Sequence, residues 1–204
     1  MELSLLRKIS KWVSRTNNVG RDHLRHVCLS CIVNYGQVNL NLPLLHVTSN
    51  FWDHTLHVFR FNRCELCPMM EEFGAIMGFS NFDHILLPPK HVDHVLLLDE
   101  VLSIPYKLGV SWCENDGFDL HALVNHFLEV VDECYPEALA VAVLASFFLI
   151  GKFSEVDVVV LDTVNCMDRE NPVPMILGET LNGLDEVKES MCPYFKGSHL
   201  LLQV

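Results

Sequence analysis

The chain predicts a mainly α (α+β) fold, a multi-helix globular domain with one small β-hairpin near residues 57–67. Three observations carry that reading. Apolar residues recur at three- to four-residue spacing along most of the chain, which is the helical period. The period breaks where Val58, Phe59 and Phe61 crowd ahead of an Asn62-Arg63 turn. Composition supplies the core: of 204 residues, 50% are apolar and only 20% charged. A disordered segment holds too little apolar surface to offset chain entropy in this way.

Residues 1–22 read as a basic N-terminal helical arm ahead of a helical domain over residues 23–204. In the arm, Leu3, Leu6, Ile9 and Trp12 or Val13 fall on one face, and Thr16-Asn17-Asn18-Val19-Gly20 stops the helix. From Asp22 as N-cap the pattern resumes, with Leu24, Val27, Cys28 and Cys31 on one face and Gly36 closing it. Pro43 near a first turn starts a helix over 44–52. His57 to Phe61 forms the first hairpin strand, and Cys64-Glu65-Leu66-Cys67 forms the second, ended by Pro68. Residues 70–77 are helical, with Glu71 and Glu72 at the positive end of the helix dipole and Gly78 at the exit.

Beyond Pro88 and Pro89, helices are expected over 92–103, 119–131 and 136–150. Ser154 can cap a helix over 156–164, although Val156, Val158, Val159 and Val160 also suit a buried strand. Asn171 can cap a helix over 172–184, where a first-turn proline is tolerated. Gly197-Ser198 then begins a last helical segment over 199–204. That segment stops in mid-pattern, so the chain is expected to be cut short, with Leu200, Leu201 and Leu202 exposed and prone to aggregate.

Charge and cysteine usage bound the partners. The formal net charge of −12 is split: residues 1–26 carry six cations against two carboxylates, and the rest carry eight against 24. So acidic a body repels a phosphate backbone, and nucleic acid is not expected as a partner except through the basic arm. Eight cysteines without a secretory signal place the chain in a reducing compartment, nucleus or cytoplasm, without structural disulfides. The most apolar run, residues 138–151, is shorter than the roughly 20 residues a membrane helix needs. It reads as a core helix apolar nearly all round, and no membrane is expected.

Metal and catalytic chemistry have few anchors. Two C-x-x-C pairs, Cys28/Cys31 and Cys64/Cys67, together hold the four thiolates of a structural zinc site. The first pair lies inside a predicted helix, and the gap between pairs is longer than compact zinc ribbons use, so buried or half-buried structural cysteines are the expected reading and zinc the alternative. His23/His26, His54/His57 and His91/His94 repeat at i, i+3, but none encloses the Glu of a zinc protease. Phosphate loop, dinucleotide fingerprint and nucleophile elbow are all absent from the sequence. No catalytic residue, cofactor or small-molecule substrate is assigned. A non-enzymatic interaction domain is expected, with a zinc-stabilised binding module or a metal-dependent enzyme using the His and Cys excess as alternatives.

Residues 51–79, FWDHTLHVFRFNRCELCPMMEEFGAIMGF, together with residues 137–161, 171–184 and 197–204, resemble the plant mobile domain group in its retroelement-associated branch. The likeness runs over about residues 24–204, with the order of the pieces kept. It implies a mostly helical domain derived from mobile elements, linked to transposon silencing or transcriptional regulation, with protein partners that include a phosphatase-like one. Such domains carry the label "aminotransferase-like", which these residues do not support. A pyridoxal-phosphate enzyme needs a Schiff-base lysine in a large phosphate-binding framework, and none of the seven lysines follows a phosphate loop. At the helix entry this chain has Met69 where the group has a threonine; a lost cap typically costs about 1 kcal/mol.

Overall fold

Helix α8, Tyr135–Phe147, is the axis on which the other helices pack. Its sequence alternates alanine with larger apolar residues, and every residue from Ala138 to Phe148 is buried. Alanines let neighbouring helices approach on all sides, while Leu139, Val141, Val143, Leu144 and Phe147 fill the space between them. Each such side chain contributes about 1.5–3 kcal/mol on full burial. The computed structural model describes residues 3–27, 29, 42–87, 93–114, 117–129, 135–149, 152–189, 195, 197–198 and 202.

Ten helices are present among these residues: α1 Leu3–Arg15, α2 Asn18–His26, α3 Leu42–Ser49, α4 Met70–Met77, α5 His94–Leu102, α6 Tyr106–Trp112, α7 Leu120–Glu129, α8, α9 Val159–Cys166 and α10 Val173–Lys188. Helices α1, α2, α5, α7 and α9 surround α8, and α10 packs on α3 and α4. Two small antiparallel sheets are also present among the described residues. One joins β1 Trp52–Asp53, β2 Val58–Phe61 and β3 Cys64–Leu66; the other joins β4 Cys113–Glu114, β5 Gly117–Phe118 and β6 Val156–Asp157. The expected mainly helical fold with its hairpin is therefore present, and the second sheet is an addition. Among the described residues no helix is long and apolar enough to cross a membrane.

Several boundaries differ from the sequence expectation for physical reasons. Helix α2 begins at Asn18, not after Asp22: Asn17 Oδ1 accepts the Gly20 N–H at 2.9 Å, and the Asp22 carboxylate pairs with Arg25 at 2.7 Å. The stretch from Thr16 does stop α1, which ends at Arg15, but α2 begins within it, so Gly20 is helical; it is buried, and an added Cβ would run into the Thr16 methyl. Residues 1–22, read as an arm, contribute α1, and its Leu5, Leu6, Ile9, Trp12 and Val13 belong to the main core. Helix α3 ends at Ser49, because Trp52 enters a strand. Around residue 156 both readings apply in succession. Val156 and Asp157 pair with β5, then Asp157 Oδ1 caps α9 through the Val159 N–H at 2.9 Å, the role expected of Ser154.

Asn171 caps α10 as the sequence suggests, accepting the Val173 N–H at 2.9 Å. The helix runs on to Lys188 and brings Asp185 and Lys188 to the first sheet. The expected helix over 199–204 lies outside the described residues except for Leu202, which is half-buried against the core and does not project into solvent. Before it, Gly197 takes φ +92°, and a Cβ there would lie 2.6 Å from Thr180 Cα. Ser198 donates its N–H to Thr180 Oγ1 and its hydroxyl to the Phe147 carbonyl, each at 3.0 Å.

Candidate functional site

The first sheet and the start of α4 form an outlying corner with its own small core. Asn62, at φ +55°, turns the chain through the left-handed region that asparagine tolerates. The turn sets the register Phe61↔Cys64, Arg60↔Glu65 and Phe59↔Leu66, with Trp52↔Phe59 on the other side of β2. Paired residues share a face, so Trp52, Phe59 and Leu66 line one side while Asp53, Arg60 and Glu65 line the other. Trp52 and Phe59 bury themselves with Leu184 of α10, joined by Phe61, Phe195, Leu181 and Leu202.

The polar side is a continuous network. The Arg60 guanidinium reaches the Asp53 carboxylate at 2.8 Å and the Glu65 carboxylate at 3.0 Å. Asp53 also accepts the N–H groups of Thr55 at 3.0 Å and Leu56 at 3.2 Å. Partial desolvation pushes the Asp53 carboxyl up, but these two N–H groups, Arg60 and His54 outweigh it and hold the group below its ordinary range.

A second carboxylate fastens the corner to α10. Asp185 accepts the Trp52 indole N–H at 2.7 Å on one oxygen, and its other oxygen stands 3.2 Å from His57 Nε2. The His57 ring lies nearly parallel to Trp52, with centroids 5.9 Å apart. Lys188 donates to the Asn50 carbonyl at 2.9 Å.

This braced corner presents apolar side chains to solvent. Phe51, Leu56, Leu66, Met69 and Met70 are between 40% and 58% exposed. Leu66 sits on the same face as the buried Phe59 but overhangs the small core. Met69 makes no side-chain cap to α4, as its chemistry requires, while Glu72 Oε2 accepts the Met69 N–H at 3.4 Å. Gly78, at φ +88°, ends the helix as expected.

The sequence-predicted ligands divide between described and undescribed residues. Cys64 and Cys67 are exposed free thiols at the open edge of the sheet; the Cys67 thiol lies 3.7 Å from the His57 carbonyl oxygen and 3.6 Å from that of Pro68. Cys28 and Cys31 lie outside the described residues, as does His91 of the third histidine pair. Among the described residues no group of three or more His, Cys, Asp or Glu side chains could hold a metal ion. His23 packs at 3.7 Å from Glu137 between α2 and α8. Burial pushes its pKa down, against the pull of Glu137 and with the help of His26. Sequence reasoning missed Asp185: nothing local marks a carboxylate in a helix tail as the acceptor of an indole 133 positions away.

A family model described as "Domain of unknown function (DUF7745)" matches residues 9–192. The chain belongs to that family. No curated protein and no solved structure matches it. The DUF7745 match takes in the first sheet, α4, the α8 axis and α10, so the tethers from Trp52 and His57 to Asp185 lie within one family domain.

Proposed function

We propose that this chain is a non-enzymatic protein-interaction domain of mobile-element origin, linked to transposon silencing or transcriptional regulation in the nucleus or cytoplasm. The outlying corner is its docking surface. The observation that carries the reading is the exposed set Phe51, Leu56, Leu66, Met69 and Met70, held on a hairpin and a helix start that Asp53, Arg60 and Asp185 brace. An unbraced loop would lose conformational freedom on binding a partner; a braced apolar corner has little left to lose, which favours association. Methionines suit such a surface because the unbranched thioether adapts to a partner's shape. The resemblance of residues 51–79 to the plant mobile domain group supports the same assignment, including a phosphatase-like protein among the partners.

The test is affinity purification from plant nuclei with the full chain and with a Leu66→Asp/Met70→Asp variant as baits. Proteins that the wild-type chain recovers should fall at least about tenfold on the variant while its melting transition is kept, since charged groups do not desolvate into an apolar seat. Equal recovery by both baits would refute the docking surface. About one zinc per purified chain, lost in Cys64→Ser/Cys67→Ser, would replace this reading with a zinc-stabilised binding module.

A further inference from the structure

We infer that the outward face of α1 is a docking surface for the phosphate backbone of a nucleic acid. This inference rests on a different part of the molecule from the apolar corner. The exposed positions of α1 from Ser4 onward are Ser4, Arg7, Lys8, Lys11, Ser14 and Arg15. They recur at three- and four-residue spacing, so they form one stripe, and every member is a cation or a hydroxyl. Helix α1 contains no carboxylate, and its first turn has no acidic residue to meet the positive end of the dipole. Among the described residues Arg7, Lys11 and Arg15 enter no ion pair, and Lys8 bonds only to Asn125 Oδ1, at 2.9 Å.

That arrangement works against the helix. Arg7 and Lys11, and Lys11 and Arg15, are like charges at i, i+4, which destabilise an isolated helix. A merely solvated face would mix its signs. Here 24 carboxylates lie beyond residue 26, and among the described residues none pairs with this stripe. An external polyanion supplies the missing counter-charge.

The chemistry favours phosphate in a nucleic acid over an anionic membrane. A membrane-surface helix must lay its apolar side into the lipid, and the apolar side of α1 is already buried in the domain core. What remains outside is arginine, lysine and serine, the side chains that position proteins on a phosphate backbone. The stripe runs along a helix about 20 Å long, and duplex DNA carries one charge per about 1.7 Å of its axis, so its cations can face several phosphates together. The acidic remainder of the chain confines contact to this edge and keeps the binding sequence-independent and strongly dependent on salt.

The test uses the full chain with a fluorescein-labelled 20-base-pair DNA duplex and, in parallel, a 20-nucleotide RNA, read by fluorescence anisotropy. With about four phosphates contacted, affinity for the duplex should fall on the order of a hundredfold between 50 and 200 mM salt. Changing Arg7, Lys11 and Arg15 together to Glu should weaken binding at least tenfold at 50 mM salt. Changing Lys107, Lys152 and Arg169 together to Glu alters net charge equally and should leave affinity within about twofold. A triple Gln variant keeps the test open if the Glu variant does not fold. Four outcomes would overturn the proposal: absence of binding at 50 mM salt, equal loss in both Glu variants, tighter binding to phosphatidylserine vesicles than to either nucleic acid, or a dimer in sedimentation that the α1 variant dissolves.

Discussion

The two three-stranded sheets have the same strand count and the same antiparallel pairing, yet they are opposite in character. In the first, β2 and β3 meet across a two-residue turn, β3 is wholly exposed, and side-chain charges brace one face. In the second, β5 is fully buried and pairs with β6 across a stretch of chain that includes all of α7 and α8. The first is held by local geometry at the edge of the molecule; the second is held by the core that surrounds it. Local pairing closes a short loop at small entropic cost, whereas non-local pairing forms only as the core does.

Breaking the second sheet should therefore have the larger global effect. Phe118 is completely buried and pairs with Val156. Phe118→Ala should lower unfolding stability by about 3–5 kcal/mol, seen as a shift of the urea midpoint with an unchanged slope. The next effect is Gly117→Ala. Its Cβ would stand 2.8 Å from the Val156 carbonyl oxygen and 2.9 Å from the Glu155 carbonyl carbon, both backbone atoms that cannot rotate away. Overpacking of that kind costs about 1–3 kcal/mol. If both variants unfold at the wild-type midpoint, the second sheet is not part of the cooperative core.

The same contrast explains what was legible in the sequence. The hairpin was readable because β-forming residues flank a two-residue turn and the helix behind it starts and stops on local signals, Glu71, Glu72 and Gly78. The core helix α8 was readable because no face of it is polar. The second sheet had only Asn115-Asp116-Gly117 as a turn signal, between strands too short to show an alternation. Its partner strand lies in a valine run that reads equally as helix. Likewise the exposed residues of the corner were visible as a motif, but Asp185, which ties it to α10, was not. A hydrogen bond between Trp52 and a distant helix tail leaves no trace in either segment's period. The break after Arg15 was readable, but the start of α2 at Asn18 was not, because Gly20 suits a helix stop as well as a close approach to the Thr16 methyl.

Damage to the first sheet should be smaller and more local. Asp185→Ala leaves the Trp52 indole N–H without its acceptor and frees His57. The expected loss is about 1–2 kcal/mol, with the Trp52 indole resonance shifted and amide exchange raised across residues 51–66. Exchange protection in α8 should stay as in the wild type, because that helix packs chiefly on α1, α2, α5, α7 and α9. Loss of protection in both regions together would show that the corner and the core unfold as one unit.

Protons give the finest separation, because the two sheets titrate in opposite directions. In the first sheet Asp53 is held below its ordinary value of 3.8 in the folded chain. A carboxyl with a lowered folded pKa stabilises above its unfolded value, and that contribution is lost as the pH falls through the folded one. In the second sheet burial, with the charge of Asp93 behind it, pushes the Cys113 thiol above its ordinary value of 9.0. A thiol with a raised folded pKa contributes stability fully present below 9.0, lost as the pH rises through the folded value. Acid should therefore loosen residues 51–66 first, and alkali should loosen the segments around Cys113 and Gly117 first, each followed by the amide resonances of its own sheet. Asp53→Asn should remove the acid response and leave the alkaline one, and Cys113→Ser should do the reverse. A single pH response shared by both sheets, unchanged by either substitution, would refute the assignment of one titrating group to each.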